Sequence, residues 1–141
     1  MRVLIINGPN INLIGKREKK IYGFYTYDFI MDKCKEFAKE KGIQLDTFQS
    51  NGEGEIIDRI QEDDFDYIIG NFGAFTHYSY AIRDALLAVE KPFVEVHLSN
   101  VFSREEWRRK SVISDIAIGV ITGFGYYSYI LALQYIYEVK K

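Results

Sequence analysis

Five short runs, Val3–Ile6, Gln44–Gln49, Tyr67–Ile69, Pro92–Leu98 and Ile116–Ile121, alternate with stretches whose apolar residues recur at three-to-four spacing. A chain built this way pairs its strands in parallel, because each helix carries it back to the end from which the next strand starts. The first run is continuously aliphatic and closes on Asn7-Gly8-Pro9, as expected of a strand buried on both faces. Between the runs, Phe29, Ile30, Lys33, Cys34, Phe37, Ala38 and Lys41 mark one amphipathic helix, which Gly42 stops. Ser50 and Glu53 predict a capping box ahead of Ile56, Ile57 and Ile60. Ala81, Ile82, Ala85, Leu86 and Val89 form the next stripe, residues 104–109 a short helical segment and residues 127–139 a closing helix.

The expected architecture is therefore α/β, with a five-stranded parallel sheet in the flavodoxin-like order 2-1-3-4-5 and helices on both faces. A single domain over residues 1–141 suits this length, and 48% hydrophobic residues suffice for a core without disulfides or metals. With 18 basic against 20 acidic residues, a net charge of -2 and no long basic run, the chain lacks the electrostatic footprint of a nucleic-acid binder. Cys34 is the only cysteine, which excludes a disulfide framework and a cysteine-based metal site, and its helical stripe predicts a buried, reduced thiol. The first apolar run is too short for a signal peptide, and no run reaches the length of a membrane span, so a soluble, cytoplasmic protein without a membrane partner is expected. Eleven tyrosines and ten phenylalanines exceed what one small core requires and suit subunit contacts.

Polar side chains that packing does not ask for collect after three strands: residues 10–22, 71–77 and 95–100. In an open parallel sheet, ligands bind outside the carboxyl ends of the strands, and in the expected order these three ends are neighbours. Arg17 and Tyr22 share the first loop with Asn7, Asn10 and Asn12, and a guanidinium beside a phenol favours the phenolate, making Tyr22 a candidate base. Glu95 and His97 lie two apart on one strand, so they share a face, and the carboxylate can orient the imidazole as a proton donor. Backbone donors in Leu98-Ser99-Asn100 suit an anionic group. A zinc pair of His77 and His97 is the rival reading, but no third ligand stands at metal spacing. No Gly-x-Ser-x-Gly elbow or complete phosphate loop is present.

These residues together resemble type II 3-dehydroquinate dehydratase, over residues 3–135. The resemblance is carried by residues 7–23, by Phe48-Gln49-Ser50-Asn51 with Glu53-Gly54-Glu55, by residues 71–86, by Glu95-Val96-His97-Leu98-Ser99-Asn100-Val101 and by Arg104-Glu105-Glu106-Trp107-Arg108-Arg109. It implies an anti elimination of water from 3-dehydroquinate through an enolate, in the shikimate or quinate route, with no cofactor and no metal. It also implies a dodecamer, a tetramer of trimers. Tyr22 is then the proton acceptor, Arg17 the stabiliser of the tyrosinate and the developing charge, and Asn10 a support for the enolate through water. His97 is the proton donor, oriented by Glu95. Asn71, His77, Leu98, Ser99, Arg108 and a neighbouring subunit's copy of Asp84 bind the substrate. A non-catalytic flavodoxin-like module that binds a cyclic hydroxy acid is the alternative.

The chain departs from the family pattern at Lys19 (usually proline), Gly52 (often histidine), Phe72 (often proline), Phe75 (often tyrosine) and Lys110 (often histidine). Lys19 gives the first loop more backbone freedom than proline would, so that loop is expected to close over substrate. Phe72 is expected to reshape the floor beneath the substrate.

Overall fold

The computed structural model describes residues 1–16, 18–22 and 24–140, apart from the side chain of Tyr22. Among these, β1 (Arg2–Asn7) is followed by a single helical turn, α1 (Lys19–Tyr22), and then by α2 (Tyr27–Glu40), β2 (Gln44–Gln49), α3 (Glu53–Gln61) and β3 (Tyr67–Asn71). The second half runs α4 (Tyr80–Val89), β4 (Phe93–His97), β5 (Gly119–Thr122) and α5 (Tyr127–Lys140). All pairings are parallel, and the order is β2-β1-β3-β4-β5, as the strand count predicts.

Alternation along β1 divides the core. Val3 and Ile5 face α2 and α5, where Ile30, Cys34, Tyr129 and Leu133 bury them. Leu4 and Ile6 face α3 and α4 and pack with Ile56, Ile60, Ile82 and Leu86. Because both faces are covered, β1 carries no polar side chain between Arg2 and Asn7. Cys34 is fully buried, and burial pushes its thiol up to about 12, which leaves it unreactive.

Two local expectations are corrected. The capping box does not form: Gly52 caps α3 without a side-chain bond. Ser50 lies two residues ahead of the cap, so its hydroxyl accepts from the Gly52 N–H at 2.9 Å and donates to Glu55 at 2.8 Å. Glu53 accepts instead from Ser79 at 2.5 Å, and Ser79 also caps α4 by accepting from the Ile82 N–H, so one hydroxyl joins the two helices. The fifth strand begins at Gly119, three residues later than expected, because Ser111 Oγ accepts from the N–H groups of Ile113 and Ser114 and turns the chain into a 3-10 helix, Ser114–Ile116. The short helical segment expected at 104–109 is present as a 3-10 helix, Glu106–Arg109.

Phe72 does not lie beneath the pocket. It is fully buried in the α3/α4 core, where its ring occupies the space above Gly70. A Cβ on Gly70 would meet Phe72 Cε2 at 2.2 Å, and a Cβ on Gly8 would meet the Phe72 carbonyl oxygen at 2.2 Å. The two glycines thus let the ends of β1 and β3 close up, and the loops above them converge.

Candidate active site

A cavity of about 260 Å³ opens over the carboxyl ends of β1, β3 and β4. Pro9, Asn10 and Ile11 line it from the first strand end, Asn71, Gly73, Ala74 and His77 from the second, and His97, Leu98 and Ser99 from the third. Val101, Arg104, Trp107 and Arg108 complete the wall.

Glu95 and His97 share the α4 side of β4, and the His97 Nε2–H points at Glu95 Oε2, 2.6 Å away. The second carboxylate oxygen, Oε1, accepts from Ser111 at 3.1 Å and from Ser114 at 2.5 Å. Burial pushes the Glu95 carboxyl up, but the hydrogen bond and charge of His97, with the bonds from Ser114 and Ser111, more than offset it and hold the group below its ordinary value. A buried carboxylate therefore fixes the imidazole tautomer. Nδ1 of His97 has no partner among the described residues and is the nitrogen available to the cavity.

The His77 ring stacks on His97 with centroids 6.3 Å apart and 17° between the planes. Its Nδ1 lies 2.6 Å from the Lys110 carbonyl oxygen, which accepts and so places the ring proton on Nδ1. Nε2 is left as an acceptor. Burial holds His77 below its ordinary value, against the opposing pull of the Lys110 carbonyl, so the ring is neutral at neutral pH. Among the described residues, no three His, Cys, Asp or Glu side chains converge as a metal site would require.

Asn10 adopts a left-handed conformation, φ 69°, which asparagine tolerates, and its N–H donates to Asn51 Oδ1 at 3.0 Å. Asn71 is the last residue of β3 and the register partner of Asn7. Between them stands the Tyr129 hydroxyl of α5, which accepts from Asn71 Nδ2 at 2.8 Å and donates to Asn7 Oδ1 at 2.5 Å. This engages Asn71 Nδ2 and leaves its carbonyl oxygen for a ligand donor.

The far wall is cationic. Arg104 donates to Ser99 Oγ at 3.2 Å and to Glu18 Oε2 at 3.2 Å, which ties the first loop to the end of β4. Arg108 donates through Nε to Glu105 at 3.2 Å, while its guanidinium lies 4.1 Å over the Trp107 ring. Trp107 in turn meets His77 edge to face, with centroids 5.2 Å apart.

Seven of the eleven residues expected from sequence, Asn10, Asn71, His77, His97, Leu98, Ser99 and Arg108, line this one cavity, and Glu95 stands directly behind His97. Arg17 and the Tyr22 side chain lie outside the described residues. Asp84 is exposed on α4 and does not reach the cavity of its own chain. Ser111, Ser114 and Tyr129 support the site without a local sequence pattern that names them. Arg104 and Trp107 stand in the charged run 104–109 that carries the family resemblance, which gives them no role of their own, and the fold brings both to the cavity wall.

A flavodoxin-like parallel sheet with a carboxylate-oriented imidazole and an anion-receptive wall at its carboxyl edge defines an α/β acid–base pocket. The comparisons place it further. Residues 1–137 match the family model described as dehydroquinase class II. The chain is 54% identical over 141 residues to the 3-dehydroquinate dehydratase of Thermotoga neapolitana, covering 100% of this chain and 97% of that one. It is 55% identical over 143 residues to that of Lachnoclostridium phytofermentans, covering 99% of each. The crystal structure of type II dehydroquinase from Butyrivibrio crossotus superposes with a TM-score of 0.94 at 48% identity, over 96% of this chain and 97% of that one. The chain belongs to the class II dehydroquinase family.

Proposed function

We propose that this chain is a hydro-lyase that converts 3-dehydroquinate to 3-dehydroshikimate by a reversible anti elimination through an enolate, in the shikimate or quinate route. The observation that carries this reading is the Glu95–His97 pair, with its imidazole on the wall of a cavity whose other walls carry acceptors, amides and guanidinium groups. Loss of hydroxide from a β-hydroxy ketone needs a base for the proton beside the carbonyl, an acid for the departing oxygen and donors for the enolate.

In this reading Tyr22 removes the proton, Arg17 favours the tyrosinate and the developing charge, and Asn10 supports the enolate oxygen through water. His97 delivers a proton to the departing hydroxyl so that it leaves as water, and Glu95 holds the imidazolium. The backbone at Leu98 and Ser99 takes the carboxylate, while Asn71, His77 and Arg108 meet the ring hydroxyls. Asp84 serves the cavity of a neighbouring subunit, which its exposure on α4 permits. The exposed rings of Phe24, Phe124, Tyr80 and Tyr127 support assembly, for which a dodecamer, a tetramer of trimers, is our reading. No described helix is long and apolar enough to cross a membrane, and we place the enzyme in the cytoplasm.

Ultraviolet absorbance tests the reaction, because the product carbonyl is conjugated with the new double bond and the substrate carbonyl is not. Purified protein gives a rising signal with 3-dehydroquinate; a flat trace at high enzyme concentration overturns the proposal. Replacing Tyr22 with Phe abolishes the signal while substrate still binds, and Arg17→Gln tests the phenolate separately. Substrate binding by calorimetry without turnover in the unmodified protein would favour a binding module instead.

A further inference from the structure

We infer that Ser111 and Ser114 are positioning residues for proton delivery: their two hydroxyls fix the Glu95 carboxylate so that its other oxygen aims the His97 ring. This inference rests on the proposed elimination and extends it to two side chains that touch no substrate. Glu95 is almost wholly buried and cannot turn to water for its hydrogen bonds. A carboxylate accepts through two oxygens, and here each has a separate task. Oε2 accepts from His97, and Oε1 accepts from both serines.

The proton positions follow from the surrounding bonds. Ser111 Oγ already accepts from the N–H groups of Ile113 and Ser114, at 3.1 and 3.0 Å, so its own hydrogen is directed at Glu95. A serine hydroxyl that could rotate freely would not impose a direction, but one whose lone pairs are occupied does. The same turn that delays β5 therefore presents two donors to one oxygen. Without them the carboxylate would be free to rotate about its last side-chain bond, and the imidazole would lose its aim and part of its counter-charge. The ionisable groups around the pair are His97 on the same strand, His77 stacked upon it and Arg108 beyond His77.

Ser114→Ala is the clean variant, because Ser114 Oγ bonds to Glu95 alone, whereas Ser111→Ala also opens the turn. Steady-state dehydration of 3-dehydroquinate should show kcat falling about tenfold in Ser114→Ala and further in the double variant, with KM changed less than about threefold. The acidic limb of the kcat profile should move to higher pH, since Glu95 loses donors that favour its charge. Ser114→Thr, which keeps the hydroxyl, should restore most of kcat. A double variant with near wild-type kcat and an unmoved acidic limb overturns the inference, and so does a fall in kcat that tracks a lowered melting temperature with the limb unmoved. Failure of the unmodified protein to dehydrate the substrate at all would instead strike at the proposed function.

Discussion

Asn71 Nδ2 donates to the Tyr129 hydroxyl across 2.8 Å, joining the end of β3 to the first turn of α5 across 58 residues of sequence. The hydroxyl is fully buried and passes its own hydrogen to Asn7, so one oxygen satisfies the donor of one amide and the acceptor of another. Tyr129→Phe leaves Asn7 Oδ1 and Asn71 Nδ2 without that partner and should cost about 2–4 kcal/mol in urea unfolding. KM should rise more than kcat falls, because Asn71 would lose its fixed orientation. Unchanged stability and KM would show that the hydroxyl bond is dispensable.

Stability should fall in two steps on acidification. Burial holds His77 below its ordinary value near 6.5, so the unfolded chain takes up that proton first and stability declines as pH drops below about 6.5. Glu95 is also held below its ordinary value near 4.5; its contribution is complete above that value and is lost as pH falls through the lower folded one. Urea midpoints between pH 8 and pH 2 should show both declines. His77→Gln should flatten the upper step, and Glu95→Gln the lower one.

Gly70 and Phe72 should behave as one unit. Gly70→Ala brings a methyl against the buried ring and should destabilise by about 1–3 kcal/mol. Phe72→Leu alone should also destabilise, through the space it opens. Combined, the two should cost clearly less than their sum, a coupling that a double-mutant cycle reads directly. Strict additivity would mean that the backbone, not the ring, absorbs the added methyl.

Trp107 is the only tryptophan of the chain, and it stands on the cavity wall between His77 and Arg108. Its fluorescence should therefore change on titration with substrate or product. Trp107→Phe should remove the signal and leave turnover within a few fold, since an aromatic edge remains. Trp107→Ala should raise KM about two- to fivefold, the effect of a lost cation–π contact worth ~0.5–1 kcal/mol.

The sequence was most legible where a physical period was at work. The strand β1 announces itself because both faces are buried, and Glu95 with His97 because a two-residue spacing on a strand places side chains together. Asn10, Asn71 and His77 were legible as polar residues at strand ends. Ser111 and Ser114 were not, because serines in a polar segment 16 and 19 residues from Glu95 have no local pattern that names their partner. Tyr129 read simply as part of an apolar helix. Phe72 is a different case: its position beside Asn71 is evident, but which side of the sheet it faces depends on the room that the missing side chain of Gly70 leaves for its ring.

The anchor of His77 is a main-chain oxygen, and the Lys110 side chain plays no part in it. Mutation at that exposed position can therefore alter surface charge without disturbing the imidazole. Position 110 is thus a place where natural variation or design can change side-chain charge while the His77 ring and its stacking on His97 stay as they are.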